Sequence, residues 1–365
     1  MNNEQTQSDF DAVMMQRCLE LAQRATGKTS PNPLVGSVVV KEGKVVGEGF
    51  HPGVGQPHAE VFALRDAGEE AQGATVYVNL EPCNHYGRTP PCSEALIKAK
   101  VAKVVAGMVD PDPRVAGGGI DRLRKAGIEV IVDVEEKACR QLNEAFIHRI
   151  IKKQPFGILK YAMTLDGKIA ATSGHSAWVT GKSSRHLVHQ IRSTCDAVII
   201  GGNTVRKDNP NLTTHGVTEH NPLRVIMSRS LDLPNECNLW NIDVAPTLVF
   251  TENNSNPSLQ KALIDKGVEV ITVAALTPKI VMKHLYQKEL SKVLWECGGT
   301  LAAKAIADGT IQKVMAFVAP KIIGGASAPS PVGELNLSRM TDALQLRNLE
   351  IKAIDSDILI EGYLD

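Results

Sequence analysis

The feature that most constrains this chain is a set of three potential metal ligands. His58-Ala59-Glu60 opens a helical run, Pro82-Cys83 follows a β-rich run, and Pro91-Cys92 precedes a second helical run. Any fold that uses them must bring a helix start, a strand end and another helix start to one point. One imidazole and two thiolates suit zinc, and three protein ligands leave its fourth tetrahedral position open to water, as in a catalytic site. Zinc lowers the pKa of bound water towards ~7, giving a hydroxide able to attack an amidine-like ring carbon. Glu60 is placed to carry the proton from that water to the ring nitrogen and then to the leaving amine. The competing reading is a structural zinc site, for which His85 is the nearby fourth ligand.

The eight residues between Cys83 and Cys92 form a bulge carrying His85, Arg88 and Thr89. Arg and hydroxyl donors beside a metal suit phosphate oxygens, which makes this loop a candidate recognition element; an ordinary solvated loop arginine is the alternative.

At 365 residues the chain exceeds a typical domain of ~100–200 residues, so two domains are expected. Forty Lys and Arg balance forty Asp and Glu, which argues against a broad nucleic-acid or lipid footprint and favours a small-molecule partner. There is no basic-then-apolar leader and no run of ~18 apolar residues, so a cytoplasmic location is expected. In that reducing setting the seven cysteines stay thiols. Apart from Cys83 and Cys92 they read as small buried residues.

Apolar spacing predicts a helix over 9–25, a hairpin over 35–50, a helix over 58–67, a strand over 75–80, a helix over 93–100 and a strand over 103–108. A helix over 120–126, a strand over 129–132 and one charged helix over 134–153 follow. The alternation implies a layered α/β domain. Lys152-Lys153-Gln154-Pro155 breaks the pattern, so the domains are expected to be 1–150 and 151–365. Beyond the break, strands at 156–162, 197–200, 223–227, 247–250, 268–273, 292–296 and 314–319 alternate with helices such as 182–192 and 301–308. That pattern favours a largely parallel sheet covered on both faces.

The second half lacks G-x-G-x-x-G. Its glycines come in doublets, Gly201-Gly202, Gly298-Gly299 and Gly324-Gly325. Gly298-Gly299-Thr300 links a strand to a helix start, where phosphates bind; tight turns without a ligand are the alternative. Lys160 and Asp166 are candidate charged participants, or a salt-bridged pair at a strand end.

Ser30-Pro31-Asn32-Pro33-Leu34-Val35-Gly36, Gly49-Phe50-His51, His58-Ala59-Glu60 and the run from Glu81-Pro82-Cys83 to Cys92 closely resemble the bifunctional deaminase/reductase family of riboflavin biosynthesis. The H-x-E and paired-cysteine pattern is that of the zinc nucleobase deaminases at large. Leu159 to Lys168, Ser176 to Thr180, Asp208 to Thr213 and Glu296 to Gly299 extend the resemblance to the reductase half. It implies a cytidine-deaminase-like three-layer α/β domain followed by a dihydrofolate-reductase-like domain. It further implies hydrolytic deamination of 2,5-diamino-6-ribosylamino-4(3H)-pyrimidinone 5′-phosphate, then NADPH-dependent reduction of the ribosyl group of 5-amino-6-(5-phosphoribosylamino)uracil. The implied cofactors are one zinc per chain and NADPH.

By carry-over, Asn32 and His51 lie near the pyrimidine pocket, although Asn32 reads equally well as a turn former. Ala162, Trp178, Thr204, Asp208, Ser228 and the turn Gly298, Gly299, Thr300, Leu301 contact NADPH. Ser176, Arg192, Leu212 and Glu296 face the substrate. Thr164 stands where serine is common, and His215 holds a position where a phosphate-binding arginine is expected. Arg229, next to Ser228, is expected to meet the cofactor's 2′-phosphate. The expected assembly is a homo-oligomer acting on a small pyrimidine nucleotide, with no nucleic-acid or membrane partner. A zinc deaminase of another nucleotide, or of nucleic acid, with an accessory domain is the alternative enzyme, and a zinc-stabilised binding module the alternative non-enzyme.

Overall fold

The structure, a computed structural model, describes residues 3–86, 90–113, 115–253 and 255–364. It divides into two compact units, the first ending at Lys153 and the second beginning at Gln154. Among the described residues no helix is long and apolar enough to cross a membrane.

In the first unit α1 (Asn3–Gln23) leads to the antiparallel pair β1 (Gly36–Lys41) and β2 (Lys44–Phe50). Then come α2 (Ala59–Ala67), β3 (Thr75–Val78), α3 (Cys92–Lys98), β4 (Lys103–Ala106), α4 (Gly118–Lys125), β5 (Glu129–Ile131), α5 (Glu136–Leu142) and α6 (Glu144–Lys152). The sheet order is β2-β1-β3-β4-β5, with β3, β4 and β5 parallel. Register shows that it is covered on both faces. Ser37 is paired with Gly49, so their Cβ directions share a face, and Gly36 points to the opposite one. A Cβ on Gly36 would lie 2.0 Å from the Cys18 carbonyl of α1, whereas one on Gly49 would lie 2.5 Å from the Ala59 carbonyl of α2. Helices α1 and α2 therefore flank the sheet as outer layers. Glycine at position 49 lets the backbone of α2 lie flush on β2. Val38, Val39, Val76, Val78, Val104 and Val105 are wholly buried, and each such side chain contributes about 1.5–3 kcal/mol of transfer free energy.

The single helix expected over 134–153 is two helices, α5 and α6, because Asn143 leaves helical geometry (φ −101°, ψ 19°). Its buried amide accepts from Leu34 N at 2.8 Å and donates to Leu34 O at 2.9 Å. Two bonds to a distant loop outweigh helix continuity for a residue that competes with its own backbone.

In the second unit the elements are β6 (Phe156–Thr164), α7 (Lys182–Ser193), β7 (Ala197–Gly201), α8 (Gly202–Asp208), β8 (Leu223–Met227), β9 (Thr247–Glu252), α9 (Pro257–Asp265), β10 (Glu269–Val273), α10 (Pro278–Gln287), β11 (Lys292–Trp295), α11 (Gly299–Ala307), β12 (Lys313–Ala319), β13 (Arg347–Ile354) and β14 (Asp357–Tyr363). The nine-stranded order is β10-β9-β8-β7-β11-β6-β12-β14-β13. Strands β10 to β12 in that order run parallel, and β14 and β13 add an antiparallel edge. Ala197 to Ile200 are wholly buried, as a parallel strand covered on both faces requires. Helices α9 and α10 start at Asn256-Pro257 and Thr277-Pro278, where each cap side chain accepts an amide N–H and proline occupies the first turn. The edge hairpin has no counterpart among the expected strands. Its outer strand is exposed along most of its length, so no buried apolar run marks it.

Candidate functional site

His58 immediately precedes α2, Cys83 lies beyond the end of β3, and Cys92 begins α3. His58 Nδ1 lies 3.4 Å from Cys83 Sγ and 3.2 Å from Cys92 Sγ, and the three ligand atoms lie within 4.8 Å of one another. Ligand separations around tetrahedral zinc are roughly 3.6 Å for N and S donors, so the donor set and its spacing fit that ion. Among the described residues no fourth His, Cys or carboxylate joins the group, and His85 is exposed on the pocket rim. That separates the arrangement from a structural four-ligand site. Hydrogen bonding between the two sulfurs lowers the pKa of Cys83 and raises that of Cys92, and zinc would take both as thiolates.

Glu60 sits in the first turn of α2 with its side chain buried. Burial, then the neighbouring Cys83 sulfur, pushes its carboxyl up to about 7. A carboxyl poised there exchanges protons readily at neutral pH. His51 is buried too, with Nδ1 3.0 Å from the Pro57 carbonyl and Nε2 3.0 Å from Asn32 Nδ2. Nδ1 therefore donates to Pro57, Nε2 accepts from Asn32, and burial keeps the ring neutral. Asn32 is held in turn by a loop whose Leu34 is bonded by both Asn79 and Asn143.

These groups open on one cavity of about 540 Å³, lined by Asn32, His51, His58, Glu60, Cys83 and His85 together with Asp110, Asp112 and Val115. The volume suits a nucleotide-sized ligand. Arg88 and Thr89 lie outside the described residues. Asp110 and Asp112 went unnoticed in the sequence, although Asp-Pro-Asp-Pro just beyond strand β4 marks the carboxyl end of a parallel sheet, where ligands bind.

In the second unit the expected residues gather at the carboxyl ends of neighbouring strands. Ala162 lies near the end of β6, Thr204 and Asp208 on α8 after β7, Ser228 beyond β8, Gly298 between β11 and α11, and Gly299 to Leu301 in the first turn of α11. Trp178 is exposed in the loop after β6, with the Arg185 guanidinium 4.3 Å above its ring. Ser176 is exposed in the same loop. A Cβ at Gly298 would meet nothing within 4 Å, but one at Gly299 would lie 2.6 Å from the Ser330 carbonyl. Gly299 is thus required by the chain's own packing, and the open side of the turn is at Gly298. Helix α11 starts at Gly299, earlier than the expected 301.

Glu296, just past β11, is nearly buried. Arg192 grips it with Nε–Oε1 at 2.5 Å and Nη2–Oε2 at 3.1 Å, and Lys160 Nζ is 3.5 Å from Oε2. Burial opposes ionisation, but the two cations hold the carboxyl down to about 2. The Lys160–Asp166 pair expected from sequence is replaced by this cluster. Asp166 accepts instead from the Thr164 hydroxyl at 2.6 Å and from the amides of Ile323 and Gly324. Thr164 so supplies the hydroxyl that serine would. Leu212 is buried at φ +54°, and His215 stacks on His189 with centroids 4.1 Å apart. An imidazole pair occupies the place where a guanidinium was expected.

Residues 155–360 match the model of the RibD C-terminal domain, and residues 8–108 that of the cytidine and deoxycytidylate deaminase zinc-binding region. The riboflavin biosynthesis protein RibD of Synechocystis sp. (strain ATCC 27184 / PCC 6803 / Kazusa) is 63% identical over 354 residues, 97% of this chain and 96% of the relative. Among solved structures, RibD of Acinetobacter baumannii (form 1) aligns with a TM-score of 0.88 at 39% identity, covering 98% of this chain and 99% of that one. A diaminohydroxyphosphoribosylaminopyrimidine deaminase/5-amino-6-(5-phosphoribosylamino)uracil reductase from Thermotoga maritima aligns with a TM-score of 0.86 at 36% identity, covering 98% and 100%.

Proposed function

Because this chain belongs to the RibD family of bifunctional riboflavin-biosynthesis enzymes, we propose that its first unit carries the deaminase and its second the reductase, on the residues described above. The protein is a zinc-dependent deaminase and an NADPH-dependent reductase, with a cytidine-deaminase-like domain and a dihydrofolate-reductase-like domain. The observation that carries the assignment of the first reaction is the His58, Cys83 and Cys92 triad with Glu60 buried beside it.

His58, Cys83 and Cys92 hold zinc, which supplies a nucleophilic water at neutral pH when bound. Glu60 takes one proton from the nucleophilic water and delivers it to the ring nitrogen, then moves the proton of the added hydroxyl to the departing amine, so that a carbonyl forms, ammonia leaves and the carboxylate is restored. Asn32 and His51 orient the pyrimidine from the cavity wall, and His85, Arg88 and Thr89 serve the phosphate. In the second unit NADPH, when bound, would supply the hydride to the ribosyl carbon. Ala162, Trp178, Thr204, Asp208, Ser228 and the turn Gly298 to Leu301 hold it, with Gly298 and the start of α11 facing a phosphate. Ser176, Arg192, Leu212, His215 and Glu296 hold the substrate.

The protein works in the cytoplasm as a homo-oligomer. The assembly is supported by edge strand β13, which exposes Leu349 and Ile351 at 54% and 64%, an apolar edge of the kind proteins cover. The enzyme given the diaminopyrimidine nucleotide, zinc and NADPH should release ammonia and then oxidise NADPH, with about one zinc per chain by elemental analysis. Ammonia released from single-stranded DNA or RNA instead would favour a nucleic-acid deaminase.

A further inference from the structure

Among the described residues Glu81 is a buried carboxylate with no cation at hydrogen-bonding distance, and the four hydrogen bonds its side chain accepts there all come from main-chain amides. Oε2 accepts from Asp110 N at 3.1 Å and Gly117 N at 2.9 Å; Oε1 accepts from Gly119 N at 2.9 Å and Ile120 N at 3.3 Å. Helix α4 begins after Gly117, which has no side chain to cap it, so the orphan amides of its first turn are satisfied by Glu81 from across the sheet. The same carboxylate ties down both ends of the segment from Asp110 to Gly117, whose Asp110, Asp112 and Val115 form one wall of the cavity. The start of α4 is also pressed on the metal-ligand segment, because a Cβ at Gly119 would lie 1.9 Å from the Pro82 carbonyl.

We propose that Glu81 is a positioning residue for deamination: it clamps this cavity wall in place and so sets the affinity for the nucleotide, without touching the reacting atoms. The proposal rests on the assignment of deamination to the first unit. Glutamine at 81 keeps the shape but turns one of the two oxygens into an NH₂ facing two backbone N–H donors, so either Asp110 and Gly117, the two ends of the wall, or Gly119 and Ile120 at the start of α4 lose their bonds.

In Glu81→Gln the KM for the diaminopyrimidine nucleotide should rise about tenfold or more while kcat changes less than about threefold. Zinc should remain at one per chain, and NADPH oxidation with pre-deaminated substrate should be unaffected. An unchanged KM overturns the proposal, as does a loss of activity that follows loss of zinc alone, since Glu81 would then serve the metal segment. Should the variant fail to fold, amide exchange in the unmodified enzyme decides. The amides of Asp110, Gly117, Gly119 and Ile120 should exchange as slowly as those of β3 and β4, and exchange at exposed-loop rates overturns the clamp. Failure of the unmodified enzyme to release ammonia would instead refute the functional assignment, leaving the exchange result to judge the clamp.

Discussion

At the scale of single residues, chemistry follows from where burial leaves a proton. Glu60 and Glu296 are both buried carboxyls, yet one is pushed up to about 7 and the other held down to about 2. Desolvation dominates the first, whereas Arg192 and Lys160 overcome it at the second. Glu60 must begin ionised to accept a proton. Below its pKa the protonated fraction grows, so kcat/KM for deamination should fall as pH drops, with a midpoint that bound zinc moves below about 7. A kcat/KM that rises as pH drops would remove Glu60 from the proton-transfer role. The ligand triad and Glu60 were legible in the sequence because residue type and short spacing carry the signal. Asp110 was not, because its place in the cavity depends on strand β4 ending beside β3, which is a long-range fact. The Lys160–Asp166 pair was misread for the same reason: Glu296, far along the chain, was the nearer partner in space.

At the scale of elements, close backbone approaches decide which substitutions report on ligands. A branched residue at Gly299 collides with the Ser330 carbonyl whether or not NADPH is present. Gly298 has extended backbone and open space, so Gly298→Val should leave the melting temperature near that of the parent while raising the NADPH KM about tenfold or more. A parent-like KM would place the cofactor elsewhere. On β8 the wholly buried Arg224 donates to the carbonyls of Leu239, Asn241 and Ala245, in the connection to β9, and to the Thr247 hydroxyl. Arg224→Met leaves several buried acceptors unpaired and should cost about 3 kcal/mol or more in denaturant unfolding of the second unit. A loss under about 1 kcal/mol would mean that water replaces the guanidinium. Periodicity located most strands because parallel strands buried on both faces read as continuous apolar runs. It missed the edge hairpin, whose outer strand is exposed along most of its length, and it joined α5 to α6, since Asn143 breaks the helix through bonds to Leu34 that local sequence does not display.

At the scale of the molecule, two sheets with separate cores support two chemistries, and the central claim is that each chemistry depends on its own unit. Glu60→Gln tests it most directly, with ammonia and NADPH followed in one preparation. Deamination of the diaminopyrimidine nucleotide should drop by about 10²–10⁴-fold, the usual contribution of a general acid–base group. NADPH oxidation with pre-deaminated substrate should proceed at the rate of the unmodified enzyme. Ammonia release at the unmodified rate, or loss of both activities with zinc content and melting temperature unchanged, would contradict it.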